Sequence, residues 1–246
     1  MLDVAKKGKD ILYQDTTQRF IESLQLNQPP VGLSFVETVP ESVAATNRRV
    51  PSACTFWRLA EQGVFYAGAE DHHECPIGML TMGFMMPVTD QQRAQELVET
   101  MASVEYFSPA EVAALPTVEK PHQYIVYGRL DQFPVEAEVI LCILDTRQAM
   151  LVAEALGNLS WLQSGQSAFG RPTCAVIPRA LKTGAASMSF GCVGARTYIN
   201  LTPGEVVLTL PALQFAGLVE RLEVIVSANA ALAPYHQSQK EKFSVV

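Results

Sequence analysis

Cysteine is the residue type in this sequence with the clearest chemical use, and four of the five cysteines lie at predicted turns or element ends: Cys54, Cys75, Cys174 and Cys192. Thiolates are soft ligands, and four of them suit a tetrahedral zinc ion or an iron–sulfur cluster. Such sites often contain two cysteines separated by two residues, a spacing that this chain lacks. A shared site therefore requires four separate turns to meet, and the alternative is that two or more are ordinary buried cysteines. Cys142 lies in a continuous apolar run and is predicted to be a buried thiol outside the site.

The segment around Cys75 is the richest in candidate residues. Pro76 follows it directly, a combination that recurs at iron–sulfur ligands, and a thiolate can also be the axial ligand of haem. Pro76 predicts the start of a helix, whose positive end is expected to lower the pKa of the thiol. His73, and less readily His72, could ligate a metal or act as the base for a nucleophilic Cys75. Two adjacent histidines before a helix are also typical of an exposed loop.

A second candidate segment surrounds Cys192. Gly191 and Gly194 would let the backbone approach a ligand closely. Arg196 could hold a carboxylate or phosphate group, or it could pair with an acidic surface residue. The glycine spacing does not match the dinucleotide-binding fingerprint.

A group of methionines follows Cys75 at mostly helical spacing: Met79, Met82, Met85 and Met86. Thioethers can bind Cu(I) or line a pocket for a flat apolar ligand, but such a stripe is more typical of a core. The sequence contains no serine-hydrolase elbow, phosphate-binding loop or zinc-protease motif. With four histidines in all, it also argues against a multi-histidine metal site.

Hydrophobic patterning predicts an α/β or α+β fold in which helices flank a mixed sheet. The run at 137–144 is almost continuously apolar, which is typical of a central strand, and Asp145 is predicted to cap a helix that Gly157 ends. A helix is expected over 3–26 and another from 211 to about 233. Further strands are expected at residues 31–36, 64–69, 124–130, 173–177, 186–190 and 206–210.

The chain is predicted to be a single domain over residues 1–246, with a faint internal repeat whose halves span about 28–120 and 121–235. In each half a strand is followed by a cysteine, a second strand, another cysteine and a glycine. Cys75 follows Cys54 by 21 residues, and Cys192 follows Cys174 by 18. Two such halves facing each other would bring four cysteines towards one axis, although chance can produce the same pattern.

Composition limits the classes of function. The chain has 246 residues, of which 48% are hydrophobic and 17% charged, and a net charge of -7. The apolar excess predicts a large core or, alternatively, a buried homodimer interface. The absence of a basic run argues against nucleic-acid binding, and no stretch is long and apolar enough for a membrane span. The first residues do not form a secretory signal, so we expect a cytoplasmic protein with reduced thiols.

Several motifs together resemble the DUF169 family of uncharacterised prokaryotic proteins. They are Pro-Val-Gly-Leu-Ser-Phe (30–35), Ala-Cys-Thr-Phe-Trp-Arg-Leu-Ala-Glu-Gln-Gly (53–63), His-Glu-Cys-Pro-Ile-Gly (73–78), Ser-Phe-Gly-Cys-Val-Gly-Ala-Arg-Thr-Tyr (189–198) and the closing segment 201–211. The resemblance covers about residues 16–230. It implies that Cys54, Cys75 and Cys192 occupy family-type positions, with Cys174 as the expected fourth. The family often carries a lysine where this chain has Ser34, so no role of that lysine transfers.

Four hypotheses follow. The leading one is a cytoplasmic redox protein that binds an iron–sulfur cluster through the four cysteines and serves electron transfer or an anaerobic redox reaction. The second is a haem- or tetrapyrrole-binding protein with Cys75 or His73 as axial ligand. The third is a thiol-dependent enzyme with Cys75 as nucleophile and His73 as base, and the fourth is a structural zinc protein. The expected partners are a redox partner protein or a small-molecule ligand.

Overall fold

The computed structural model describes residues 2–157 and 170–243. Within these residues the strands are β1 (Val31–Val36), β2 (Phe65–Gly68), β3 (Tyr124–Arg129), β4 (Val139–Asp145), β5 (Ser187–Ser189) and β6 (Glu205–Pro211). The helices are α1 (Leu2–Leu24), α2 (Thr55–Ala60), α3 (Ala69–His72), α4 (Pro76–Thr81), α5 (Val88–Ser103), α6 (Pro109–Ala113), α7 (Thr146–Leu156), α8 (Val176–Thr183), α9 (Val193–Tyr198) and α10 (Phe215–Phe243). Short 3-10 turns occupy Leu130–Gln132, Thr173–Ala175 and Ala212–Gln214.

The strands form one six-stranded sheet in the order β2-β3-β1-β4-β6-β5, which confirms the expected sheet with flanking helices. Every pair of neighbouring strands is antiparallel, so the sheet is not mixed in strand direction. A helix was predicted to follow β4 directly. That helix does form, with an Asp145–Gln148 capping box and Gly157 closing it at φ 71°. The next strand, β5, lies at the sheet edge, and β6 returns antiparallel between β5 and β4.

The strand order is symmetric about the two central strands of the sheet. β1 and β4 pair with each other, β3 and β6 flank them, and β2 and β5 form the edges. The strand registers are symmetric as well: a pair of facing residues on the β1 side corresponds to a pair at the equivalent strand positions on the β4 side. These counterparts are Val31–Arg129 with Val139–Pro211, and Phe65–Tyr127 with Ser187–Thr209. In this arrangement β1, β2 and β3 form one side of the sheet, and β4, β5 and β6 form the other.

Helices cover both faces of the sheet, because alternate strand residues point to opposite sides. On one face Leu33 and Leu141 pack with residues of α2, α4, α8 and α9. On the other face Ile140 and Cys142 pack with residues of α1, α7 and α10. The cysteine-bearing turns lie on the first face. None of the helices in the described parts of the chain combines the length and apolar character that a membrane span requires.

Two predicted elements differ from the structure. Residues 173–177 were expected to form a strand, but they form a 3-10 turn and the first residues of α8. Val176, Ile177 and Ala180 are all buried there at helical spacing, and Pro178 falls in the first turn, where its missing N–H breaks no helical bond. α10 runs to Phe243 rather than ending near residue 233. Residues 244–246 lie outside the described part of the chain.

Candidate functional site

A cavity of about 470 Å³ lies on the face of the sheet that carries α2, α4, α8 and α9. The four candidate cysteines all line it: Cys54, Cys75, Cys174 and Cys192. They come from four separate segments that are distant in sequence. The remaining lining is mostly apolar, and a large part of it belongs to α5 and to the segment from α5 to α6.

Each cysteine lies at or near the start of a helix. Cys54 is the N-cap of α2, Cys75 that of α4, and Cys192 that of α9. Cys174 is in the 3-10 turn that leads into α8. Edge strand β2 lies between the Cys54 helix α2 and the Cys75 helix α4, with the short α3 before α4, and edge strand β5 lies between α8, which follows Cys174, and the Cys192 helix α9. One pair of cysteines comes from each side of the β1–β4 pair.

The sulfur of Cys75 is held by backbone donors. It accepts the N–H of Gly78 at 3.3 Å and the N–H of Ala53. Gly78 is required at its position because an added Cβ would lie 2.6 Å from the Cβ of Ala53 and 3.0 Å from the Cys75 sulfur. The absence of a side chain therefore lets the Cys54 loop and α4 approach each other closely.

Polar groups also contact the other three cysteines. The Ser52 hydroxyl lies 3.0 Å from the Cys54 sulfur, and Ser52 is itself 2% exposed. Thr81 forms a side-chain hydrogen bond with Cys174 and so links α4 to the second pair of cysteines. The Cys192 backbone N–H donates to the Thr173 hydroxyl at 2.6 Å. Ala53, which precedes Cys54, thus contacts Cys75. In the same way Thr173, which precedes Cys174, contacts Cys192.

Burial raises the pKa of three of these thiols, those of Cys54, Cys75 and Cys174. It raises the pKa of Cys54 to about 12, even though the Ser52 hydrogen bond lowers it. The pKa of Cys75 is also raised, because burial outweighs the two N–H donors, so the expected lowering by the start of α4 is not the net effect. Burial raises the pKa of Cys174 well above its usual value, and the neighbouring Cys75 adds to this. The cysteines are thus close enough for a charge on one to disfavour a charge on the next.

The two histidines do not line this cavity. His73 lines a separate polar pocket, where it contacts the Glu70 carbonyl and lies 3.3 Å from the Glu74 carboxylate. His72 is 1% exposed, and its Nδ1 lies 2.6 Å from the Gly68 carbonyl. Since a carbonyl only accepts, Nδ1 carries the proton and Nε2 accepts from the Tyr127 hydroxyl at 3.0 Å. Burial lowers the pKa of His72 to about 4, so it is neutral at physiological pH.

Arg196 does not line the cavity either. Its guanidinium donates to the backbone carbonyls of Phe190, Thr202 and Glu205. Gly191, at φ 85°, packs against the Arg196 side chain, and a Cβ there would lie 3.1 Å from its Cγ. Arg196 therefore ties the Cys192 loop to the segment before β6, and its donors face the backbone rather than a ligand.

The methionines after Cys75 lie elsewhere. Met79 and Met82 are each 1% exposed in the core, whereas Met85 is 90% exposed. Cys142 is buried, as predicted, and belongs to the core on the opposite face of the sheet. Among the residues that the structure describes, no group of three or more His, Cys, Asp or Glu side chains is arranged to hold a metal ion.

The comparisons with known proteins agree with the motifs around these cysteines. A model of the DUF169 family, described as "Uncharacterised ArCR", matches residues 19–221. This chain belongs to the DUF169 family. It is also 25% identical over 223 residues to an uncharacterized protein of Methanocaldococcus jannaschii, a match that covers 85% of this chain and 93% of that protein. No solved structure matches it.

Sequence reasoning missed several residues of the site in this DUF169 protein. Thr81 and Thr173 contact cysteines from other segments, and no local motif marks a contact of that kind. The cavity wall formed by α5 was also missed. Its signal is the apolar spacing of Leu97, Met101 and Val104 along one side of the helix, which resembles an ordinary core-facing stripe.

Proposed function

We propose that this DUF169 protein is a redox protein that binds an iron–sulfur cluster through Cys54, Cys75, Cys174 and Cys192. Electron transfer or an anaerobic redox reaction would then take place at the cavity. The observation that supports the proposal is the convergence of these four cysteines, from four separate turns, on one cavity. Cys142, the fifth cysteine, lies on the other side of the sheet and serves as an internal reference.

The donor set fits a cluster better than a single ion. Four thiolates around one zinc ion, at about 2.3 Å each, must lie within about 4 Å of one another. No such group occurs among the described residues. Four thiolates hold a [2Fe–2S] or a [4Fe–4S] cluster, so the ligands of a cluster surround two or four iron ions and not one. The remaining lining is largely apolar, and Glu74, the one charged residue among the described lining residues, forms ion pairs with Arg49 and Arg93.

The residues around the sulfurs have defined tasks in this proposal. When bound, an iron–sulfur cluster supplies a site that accepts and donates single electrons. The N–H groups of Gly78 and Ala53 donate to the Cys75 sulfur, and the Ser52 hydroxyl donates to Cys54 once that cysteine is a thiolate. Hydrogen bonds to ligand sulfurs favour the more negatively charged, reduced state and so raise the reduction potential.

We infer that the two halves of the sheet are copies of one unit, and that each copy supplies one pair of cysteines. The matching strand order and registers support this, as does the place of each cysteine relative to its edge strand. Strands β1–β3 would form the first copy and β4–β6 the second. A single copy supplies only two of the four cavity cysteines, so the proposed four-thiolate site needs both copies.

The other readings have less support from the geometry. A nucleophilic Cys75 requires a thiolate, but burial raises its pKa, and no histidine is found among the described residues that line the cavity. The hypothesis of a bound tetrapyrrole is supported by the apolar lining, which suits a flat apolar ligand, and Cys75 is the available axial ligand. His73 faces the other pocket.

The experiment that tests the proposal is an ultraviolet–visible spectrum of anaerobically purified protein, with iron, sulfide and zinc assayed on the same sample. Broad visible absorption with equal amounts of iron and sulfide is the expected result. A sharp Soret band would replace the proposal by the tetrapyrrole reading. A colourless protein that holds zinc, or one that takes up neither iron nor sulfide on reconstitution, would overturn it.

A further inference from the structure

The helices α5 and α6, which are called the roof below, line one side of the cavity and belong to the first half of the chain. In the first half, α5 and α6 lie between the Cys75 helix α4 and strand β3. In the second half, only residues 199–204 separate the Cys192 helix α9 from strand β6. Among the residues that the structure describes, the helices α5 and α6 therefore have no counterpart across the β1–β4 pair.

The roof turns an apolar side towards the cavity without burying it. Leu97, Met101 and Val104 all line the cavity, yet neither α5 nor α6 contains a buried residue. Leu97 is 36% exposed and Val104 is 68% exposed. Helices in proteins are stabilised mainly by burying their apolar side, so this side lacks a partner in the described structure.

Both ends of the roof are fixed beside cysteine loops. At the start of α5, Arg93 forms a 3.1 Å ion pair with Glu74, the residue before Cys75. After α5, the rings of Tyr106 and Phe107 both lie 4.5 Å from the Arg171 guanidinium, three residues before Cys174. The roof is thereby held over the cavity, which leaves a bounded space between α5 and the sulfurs.

The chemistry of this space points to an uncharged ligand. Glu74 is the one charged residue among the described lining residues, and its carboxylate is already paired. An ionic ligand would lose its hydration without gaining a partner, whereas an apolar ligand would bury the open side of α5. The volume of about 470 Å³ falls within the range of small-molecule sites, roughly 300–1,000 Å³.

We propose that α5 and α6 form a binding site for an uncharged, apolar small molecule, held between Leu97, Met101 and Val104 on one side and the cysteine sulfurs on the other. The redox role of such a ligand rests on the proposed function, but its binding does not. The cysteines Cys54 and Cys174, 7% and 8% exposed, lie on the core side. The ligand would occupy the outer side, next to the bound cluster.

The test measures binding of the uncharged fluorescent probe N-phenyl-1-naphthylamine to the protein, both as purified anaerobically and after removal of metal by a chelator. We expect saturable binding in both forms. The sulfonated relative of this probe, 8-anilino-1-naphthalenesulfonate, should bind at least about tenfold more weakly. Equal affinity for the charged probe, or no saturable binding in the purified form, would overturn the inference.

A pair of methionine variants locates the site. Met101→Gln preserves length and helix propensity but should weaken probe binding about tenfold, because a polar amide replaces the thioether that the bound probe would cover. Met85→Gln is the matched control, since Met85 is 90% exposed and does not line the cavity. Unchanged affinity in Met101→Gln would overturn the site, provided that both variants keep the circular dichroism spectrum of the wild type.

Iron and sulfide assays on the same samples separate the two proposals. Probe binding that depends on Met101 in a protein without iron or sulfide would contradict the cluster and leave the ligand site standing. A protein with iron and sulfide but without saturable probe binding would contradict the ligand site alone.

Discussion

His72 makes the stability of this protein depend on pH in a way that can be calculated from the structure. Its pKa is lowered from the ordinary 6.5 to about 4, mainly by burial; the Gly68 hydrogen bond opposes this shift, and the nearby His122 adds to it. The unfolded chain therefore binds a proton at His72 at a higher pH than the folded chain does. Below about pH 6.5 the unfolded state gains this proton first, so the stability contributed by neutral His72 is lost as the pH falls towards 4.

The size of this loss follows from the two pKa values. Between about pH 7.5 and about pH 5, His72 alone should reduce the free energy of unfolding by about 2 kcal/mol. Urea unfolding followed by circular dichroism at both pH values measures the total change. The contribution of His72 is the difference between the wild type and His72→Gln, whose amide does not titrate.

The matched control is His236→Gln, because His236 is exposed near the end of α10. This variant should lose the same free energy as the wild type between the two pH values. His72→Gln should be less stable at neutral pH, since it loses the bond to Tyr127, but its stability should depend less on pH by about 2 kcal/mol. Equal losses in the wild type and His72→Gln would refute the conclusion that His72 is buried and neutral.

Three further predictions concern the site itself. Gly78→Ala should cost about 1–3 kcal/mol of stability, because the new Cβ meets Ala53 and the Cys75 sulfur. Gly63→Ala is the control and should not lower the stability, because a Cβ there meets nothing within 4 Å. Equal melting temperatures of the two variants would contradict the crowding at Gly78. Ser52→Ala should lower the midpoint potential of the reconstituted protein measured by redox titration, and an unchanged or higher potential would show that this hydroxyl does not donate to the sulfur. Arg171→Gln removes a cation–π contact worth about 0.5–1 kcal/mol, so hydrogen exchange in α5 should become a few times faster, and unchanged rates would contradict its role in fixing the roof.

Local patterns in the sequence predicted most of the elements that position the site. The run from Val31 to Val36 forms a strand with the expected bounds, and Asp145 caps a helix that Gly157 ends, as expected. These signals depend on neighbouring residues alone, so they can be read without the fold. The strand expected at residues 173–177 was wrong because a short apolar run fits a buried helix as well as a strand.

The cysteines that share the cavity could be proposed from their types and their positions next to turns, but the cavity itself could not. Its two pairs of cysteines come from the two sides of the β1–β4 pair, and the pairing of these two strands is a long-range contact that no local pattern marks. The same limit explains His73 and Arg196. Both are next to or near a cysteine in sequence, but the backbone turns His73 into a separate pocket and directs Arg196 to carbonyl groups.

The measurement that tests the central claim most directly is the iron and sulfide content of single cysteine variants, purified and reconstituted side by side under anaerobic conditions. Serine at position 54, 75, 174 or 192 removes one of the proposed ligands, whereas Cys142→Ala changes a thiol on the opposite face of the sheet. A cluster shared by both halves predicts that each of the four serine variants loses most of its iron and sulfide and that Cys142→Ala keeps the wild-type content. The shared cluster would be contradicted if both serine variants of one half kept the full iron and sulfide content, or if Cys142→Ala lost as much of it as they did.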